Sequence, residues 1–206
     1  MKLYLVRHGE TVWNVEKRFQ GKSDSPLTQK GILQAKLLSD YLKNENFNAF
    51  YSSPAKRAMD TANMIIGNRN QNLNIINDFA EISIGDMEGV ESHIFKEKYP
   101  ELFYNFFFDP EKYNPKLING ESFKELENRV KIGLNNLTHK HKEHEKILLV
   151  SHGGTLRTLF NLISPKKDKE LCIIANTSVS IVEYKEKSYE LMSFSDTSHL
   201  EGMRNE

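Results

Sequence analysis

Two histidines lie in near-copies of one heptapeptide. Leu5-Val6-Arg7-His8-Gly9-Glu10-Thr11 and Leu149-Val150-Ser151-His152-Gly153-Gly154-Thr155 share the pattern Leu-Val-x-His-Gly-x-Thr, each closing an apolar run. Neighbours set the charge of a histidine near neutral pH, so two imidazoles in one crevice can take different chemical roles. Arg7 adjoins His8 and keeps its charge, while Arg57 follows another apolar run and opens a helical pattern. Guanidinium forks grip phosphates, and the helix N-terminus beside Arg57 would favour the same anion. Opposite in sign is Glu81, in a stretch carrying Gly85 and Gly89, where a carboxyl can give and take a proton. Taken singly, each has a plain alternative: a surface histidine, a solvated helix arginine, one acid among many. What sets them apart is that all fall just past successive strand-like runs.

Those runs are the elements that must hold the site. Residues 2–6, 49–52, 73–76 and 147–150 read as short buried strands, with 179–184 and 189–193 as a closing pair. Between them the apolar period becomes helical. Leu33, Leu37, Leu38, Tyr41 and Leu42 follow a capping Thr28; Ala58, Ala62 and Ile65 follow Ser53-Pro54, read as an N-cap with proline in the first turn. Phe123, Leu126, Val130, Leu134 and Leu137 follow the capping box Ser122-x-x-Glu125, and residues 155–163 form a last helix. Residues 7–26 are polar, punctuated by Gly21 and Pro26, and read as a long functional loop. Strands alternating with helices predict an α/β fold, a three-layer sandwich with a mostly parallel central sheet flanked by helices, built as a single domain over residues 1–206. In such sheets ligands bind beyond the carboxyl ends of strands. The echo therefore places both histidines at that edge, each followed by a glycine that lets backbone approach a ligand.

Residues 92–120 carry two readings. Residues 92–99 look helical, Pro100 starts another turn, and Leu102, Phe103, Phe106 and Phe107 form an aromatic stripe. The stripe is either the buried face of a closing helix or an apolar lid over the catalytic edge.

Composition removes other classes. The chain has 206 residues, 28 Lys and Arg against 28 Asp and Glu, and a formal charge of zero, so it lacks the bulk positive field that nucleic-acid binding draws on. Any bound anion must be met by a local cluster. No run approaches the eighteen or so apolar residues of a membrane span. The start MKLYLVRHGE meets Arg7 and Glu10 before a signal sequence could develop, and the expected location is cytoplasmic. The single cysteine, Cys172, excludes an internal disulfide framework and reads as core filler beside Ile173 and Ile174.

Arg7-His8-Gly9-Glu10-Thr11 with Trp13-Asn14 resembles the signature of the histidine phosphatase superfamily, the phosphoglycerate-mutase-like group, and the likeness runs nearly end to end. It extends through Gln20-Gly21, Asp24-Ser25-Pro26-Leu27-Thr28, Ser52-Ser53-Pro54 with Arg57-Ala58, Glu81, Glu88-Gly89, Ser151-His152-Gly153-Gly154 and Asn176-Thr177-Ser178. The resemblance implies covalent phosphoryl transfer without metal or cofactor. His8 attacks phosphorus, and Arg7, Arg57 and a protonated His152 hold the phosphoryl oxygens. Glu81 protonates the leaving alkoxide and then takes a proton from the hydrolytic water. Asn14, Gln20, Gly21, Gly153 and Thr177 are the resemblance's further phosphate-side or substrate-side contacts.

Mutases of the group carry an Arg and a Tyr just after the catalytic glutamate, where this chain has Ile82 and Ile84. That difference favours water as acceptor. The expected partner is a small phosphomonoester, and the broad-specificity phosphatases are the nearest likeness. Phosphoglycerate mutases, α-ribazole phosphatases and fructose-bisphosphatase-like enzymes are the rivals, with a non-catalytic phospho-ligand module as the alternative from another class. Homodimerisation is left open.

Overall fold

The computed structural model describes residues 1–163 and 174–205; Cys172 and Ile173, expected in the core, lie outside the described residues. Six strands form one sheet in the order β3-β2-β4-β1-β5-β6: β1 (Lys2–Arg7), β2 (Ala49–Ser52), β3 (Leu73–Ile75), β4 (Lys146–Ser151), β5 (Val179–Lys185) and β6 (Ser188–Asp196). The first four named in that order run parallel, and β5 and β6 close the sheet by antiparallel pairing. This is the mostly parallel sheet expected from the sequence.

The two central strands are buried on both faces, which is why they read as continuous apolar runs instead of alternating ones. Their alternation is still visible in space. Tyr4, Val6, Leu148 and Val150 pack with Leu38 and Leu42 of helix α2 (Gln29–Tyr41) or its end and with Ala58, Ala62 and Ile65 of α3 (Lys56–Ile66). Leu3, Leu5, Ile147 and Leu149 face the other way, against Leu126, Val130 and Leu134 of α6 (Phe123–Lys140) and Leu156, Leu159 and Phe160 of α7 (Gly153–Ile163). Three layers result, with a core on each side of the sheet.

Three local details depart from the sequence reading. The long polar loop contains one helical turn, α1 (Val12–Val15), fixed by a reciprocal Thr11–Asn14 capping box. Ser53 does not cap α3. The cap position falls to Ala55, and the amides of Lys56 and Arg57 donate instead to the carboxylate of Asp24. A full negative charge satisfies a helix N-terminus better than a hydroxyl does, and Ser53 is engaged elsewhere. Finally, Gly9 has a packing reason to be small that the sequence did not show: a Cβ there would lie 2.7 Å from the Gly31 carbonyl oxygen, and one on Gly31 would lie 2.0 Å from that of Glu10.

Residues 92–120 form α4 (Ser92–Lys98), α5 (Pro100–Phe108) and a 3₁₀ turn at Pro115–Ile118. Phe95 and Leu102 join the α6–α7 core, whereas Phe106 and Phe107 are only half-buried.

Candidate active site

The parallel register sets the two heptapeptides side by side, residue for residue: Leu5 pairs with Leu149, Val6 with Val150 and Arg7 with Ser151. His8 and His152 are the next residues along, and the His8 amide continues the ladder to the Ser151 carbonyl at 3.0 Å. Their ring centroids stand 5.2 Å apart. The echo in the sequence is thus a pair of strand ends brought into contact.

Identical placement leads to different wiring. His8 Nδ1 lies 2.8 Å from the Gly9 carbonyl oxygen, which can only accept, so Nδ1 carries the proton and Nε2 keeps its lone pair. Burial, then the charges of Arg57 and Arg7, push its pKa well below the usual value, keeping the ring neutral and nucleophilic. His152 Nε2 instead lies 2.5 Å from Ser53 Oγ, which also accepts from the Ala55 amide at 3.3 Å. Ser53 Oγ keeps a proton and a second lone pair and can serve Nε2 in either sense, while Nδ1 on the other side of the buried ring has no partner.

In the free pocket the ring is driven toward neutrality, and the protonated His152 that the resemblance implies belongs to the phosphoryl-bound state. Burial, and then the fixed positive charges of Arg57, Arg7 and Arg129, drive its pKa well below the usual value. A neutral ring with a proton on Nδ1 remains a donor to an anion.

The arginines are also used differently from the expected forks. Arg57, 1% exposed, spends Nη1 on the Ser23 carbonyl and Asp24, and Nη2 on the Gly21 carbonyl. Arg7 Nη1 donates to the Ile174 carbonyl at 2.6 Å. In both, the buried Nε has no partner. The N-terminal amides of α3, expected to favour an anion, are taken by Asp24. Among the described residues, four of the six buried side-chain polar atoms without a partner belong to predicted site residues: Arg7 Nε, Arg57 Nε, His152 Nδ1 and Gln20 Oε1. Buried polar groups are normally satisfied, so the concentration of orphans around His8 marks where a polar ligand belongs.

Glu81 closes the site from the far side. Its carboxylate accepts from the amides of Ile82, Gly154 and Thr155 and from the Thr155 hydroxyl, all between 3.0 and 3.1 Å. Two of these amides belong to the first turn of α7, the helix that follows His152. A cleft of about 600 Å³ opens over Arg7, His8, Arg57 and Glu81, and Asn14, Gln20, Gly21 and Gly153 line it too. Asn14 is partly structural, since its Oδ1 accepts from the Thr11 amide and from Asn176.

Thr177 does not reach the cleft. Its amide donates to the Arg7 carbonyl at 2.9 Å and its hydroxyl to the Asn176 carbonyl, with His199 Nε2 3.1 Å from the same hydroxyl, so as placed it braces the end of β1. Missed by sequence reasoning are Arg157, Thr158 and Asn161 of α7 and Glu127 of α6, which line the mouth of the cleft. Their helical spacing from Gly153 and Phe123 was the available signal, but a polar helix face looks the same whether it meets solvent or a substrate.

Comparison with known proteins agrees with this geometry. The chain is 35% identical over 201 residues to a metal-independent phosphoserine phosphatase of Arabidopsis thaliana, spanning 97% of this chain and 83% of that one. It is 33% identical to the uncharacterized phosphatase PhoE of Bacillus subtilis (strain 168), spanning 96% of each. The solved structure of YhfR of Bacillus stearothermophilus superposes with a TM-score of 0.91 at 34% identity, covering 97% of this chain and 99% of that one. Residues 3–197 match the description of the histidine phosphatase superfamily (branch 1). The chain belongs to that superfamily and is a phosphatase.

Proposed function

We propose that the enzyme hydrolyses small phosphomonoesters without a metal, through a phosphohistidine on His8. The carrying observation is the group of buried, unpartnered Arg7 Nε, Arg57 Nε and His152 Nδ1 around a neutral imidazole whose Nε2 is free. In-line attack by His8 Nε2 breaks the bond between phosphorus and the leaving oxygen, while these fixed donors meet the charge on the equatorial oxygens. Glu81, across the cleft, gives a proton to the leaving oxygen. It then takes one from the water that attacks phosphorus, and His8 leaves as the neutral ring.

Water is the acceptor in this reading. Ile82 and Ile84, 2% and 3% exposed, border the cleft with Phe106, Phe107 and Phe123 and offer nothing to orient a second acidic hydroxyl substrate. The apolar border supports broad specificity. A narrower reading rests on Glu127 and Arg157, which line the mouth with no ion-pair partner among the described residues. Opposite charges there suit a zwitterionic leaving group such as that of phosphoserine, the substrate named for the Arabidopsis relative.

Turnover of p-nitrophenyl phosphate, O-phosphoserine and 3-phosphoglycerate, with EDTA present and with bisphosphoglycerate as primer in one arm, tests both. Hydrolysis of all three esters at comparable kcat/KM supports the broad reading, and a preference for phosphoserine of 100-fold or more supports the narrow one. Loss of activity in EDTA, or primer-dependent isomerisation outpacing hydrolysis, would overturn the proposal.

A further inference from the structure

Glu81 stands two residues past a single 3₁₀ turn, Asn77–Phe79, outside any strand or α-helix, yet its carboxyl must be placed to a fraction of an ångström for proton transfer. What holds it is a set of side chains. Every carbonyl from Asp78 to Glu81 accepts a hydrogen bond from a side chain. Arg129 of α6 donates to those of Asp78, Ala80 and Glu81 at 2.9, 2.7 and 3.1 Å. Ser151 of β4 takes the Phe79 carbonyl and Thr155 of α7 that of Ala80, at 2.8 and 2.7 Å.

Arg129 is itself clamped. Its Nε and Nη2 form a fork with both carboxylate oxygens of Glu121 at 2.6 and 2.9 Å, with the two side chains 18% and 11% exposed. Glu121 reaches back to the same segment: its carboxylate accepts from the Ser83 amide at 3.2 Å and its own amide donates to the Ser83 carbonyl at 2.8 Å. Arg129 does not line the cleft and lies behind Glu81. A lysine could not replace it, because one ammonium cannot span three carbonyls and a carboxylate in a fixed plane.

We propose that Arg129, locked by Glu121, is the positioning residue for Glu81, so that its loss impairs the two proton transfers and spares the attack of His8. This rests on the phosphohistidine reading above, with Glu81 as proton donor and acceptor. It predicts a signature that depends on the leaving group. An alkyl phosphate needs a proton on its leaving oxygen, whereas p-nitrophenolate departs without one.

The test is rapid-quench kinetics on Arg129→Met and Arg129→Lys with O-phosphoserine and p-nitrophenyl phosphate. A misplaced catalytic group costs about 10²-fold, so kcat for phosphoserine should fall by that factor in both variants. The p-nitrophenolate burst should keep its rate within about threefold, and phosphoenzyme should accumulate because hydrolysis also needs Glu81. If Arg129→Met fails to fold, Glu121→Gln, which keeps Arg129 and its carbonyl contacts and weakens the carboxylate's hold on Arg129 and on the Ser83 amide, carries the same comparison with a loss of about tenfold. Equal losses on both substrates, without accumulated phosphoenzyme, would show Arg129 to be merely structural, and unchanged kinetics would show that it positions nothing. Absence of phosphoenzyme in the wild type would instead remove the underlying mechanism.

Discussion

The floor of the cleft and its apolar wall are built on opposite principles. On the floor, His8 and Arg57 are 3% and 1% exposed, with the fully buried His152 ring 5.2 Å from that of His8, and each of the three is fixed by directional hydrogen bonds to backbone or to a buried hydroxyl. In the wall, Phe106 and Phe107 are half-buried and held by non-directional apolar contacts, with ring centroids 5.0 Å apart, and the neighbouring Phe108 is 71% exposed. Directional bonds fix atoms to tenths of an ångström, whereas aromatic packing tolerates several arrangements of similar energy. The proposed function assigns these two constructions two tasks: the rigid floor to one invariant group, a phosphoryl, and the looser wall to varied leaving groups.

The sharpest way to break that contrast is to remove the proposed nucleophile. His8→Ala should lower kcat on every phosphomonoester by about 10⁴-fold or more, since the covalent route disappears. The loss should not depend on the leaving group. Acid quench with phosphate-labelled substrate should trap label on the wild type and none on the variant. Label persisting on the variant would move the nucleophile elsewhere and undo the division between floor and wall.

Within the floor, the two histidines can be separated by pH. In the free pocket both are held neutral by burial, so the folded protein binds fewer protons than the unfolded chain below about pH 6.5 and loses stability as pH falls. A bound dianion opposes the cationic neighbours of His152 and raises its pKa. Binding of sulfate, which stays dianionic, should then take up a proton and tighten as pH falls through the raised pKa. Calorimetry in two buffers of different ionisation enthalpy should find uptake of about one proton in the wild type and none in His152→Asn, with kcat in that variant down about 10²–10³-fold. Zero uptake by the wild type would mean that His152 serves as a neutral donor throughout.

Most of the floor was legible because it is written in strand ends. A parallel sheet converts a repeated heptapeptide into adjacent side chains, so Arg7, His8 and His152 followed from pattern and register together. Helix starts were less legible. Ser53-Pro54 has the look of a cap, yet Asp24, remote in sequence, takes α3's amides and frees Ser53 for His152. Thr177 was misplaced for a similar reason, since a buried hydroxyl in a turn serves the backbone as readily as a ligand. The support of Glu81 by Arg129 was hidden because three of its bonds go to backbone carbonyls, which leave no trace in residue type. The aromatic stripe was read as either core or lid, and the residues divide: Leu102 is core, while Phe106 and Phe107 face the cleft.

That division makes the wall separable into two smaller effects. Phe106 touches Phe19, Tyr113 and Phe123, with centroids between 5.2 and 5.9 Å, so truncating it removes the hub that joins α5 to the core. For a half-buried ring, Phe106→Ala should cost about 1–3 kcal/mol and lower Tm by roughly 2–4 °C per kcal/mol. Phe107 makes ring contacts with Phe19, Phe103, Phe106 and Phe108 and, unlike Phe106, does not pack against the buried core, so its removal should disturb folding less. If the wall contributes non-directional apolar contact to the leaving group, Phe107→Ala should raise KM for p-nitrophenyl phosphate about fivefold, equivalent to about 1 kcal/mol of lost burial. KM for phosphoserine should stay within a factor of two, because its leaving group has little apolar surface to lose. Michaelis–Menten kinetics on both substrates, read beside thermal melts of both variants, decides the matter. A rise in KM shared equally by the two esters would mean that Phe107 shapes the phosphoryl floor as well, and the boundary between the two regions would have to be drawn further up the cleft.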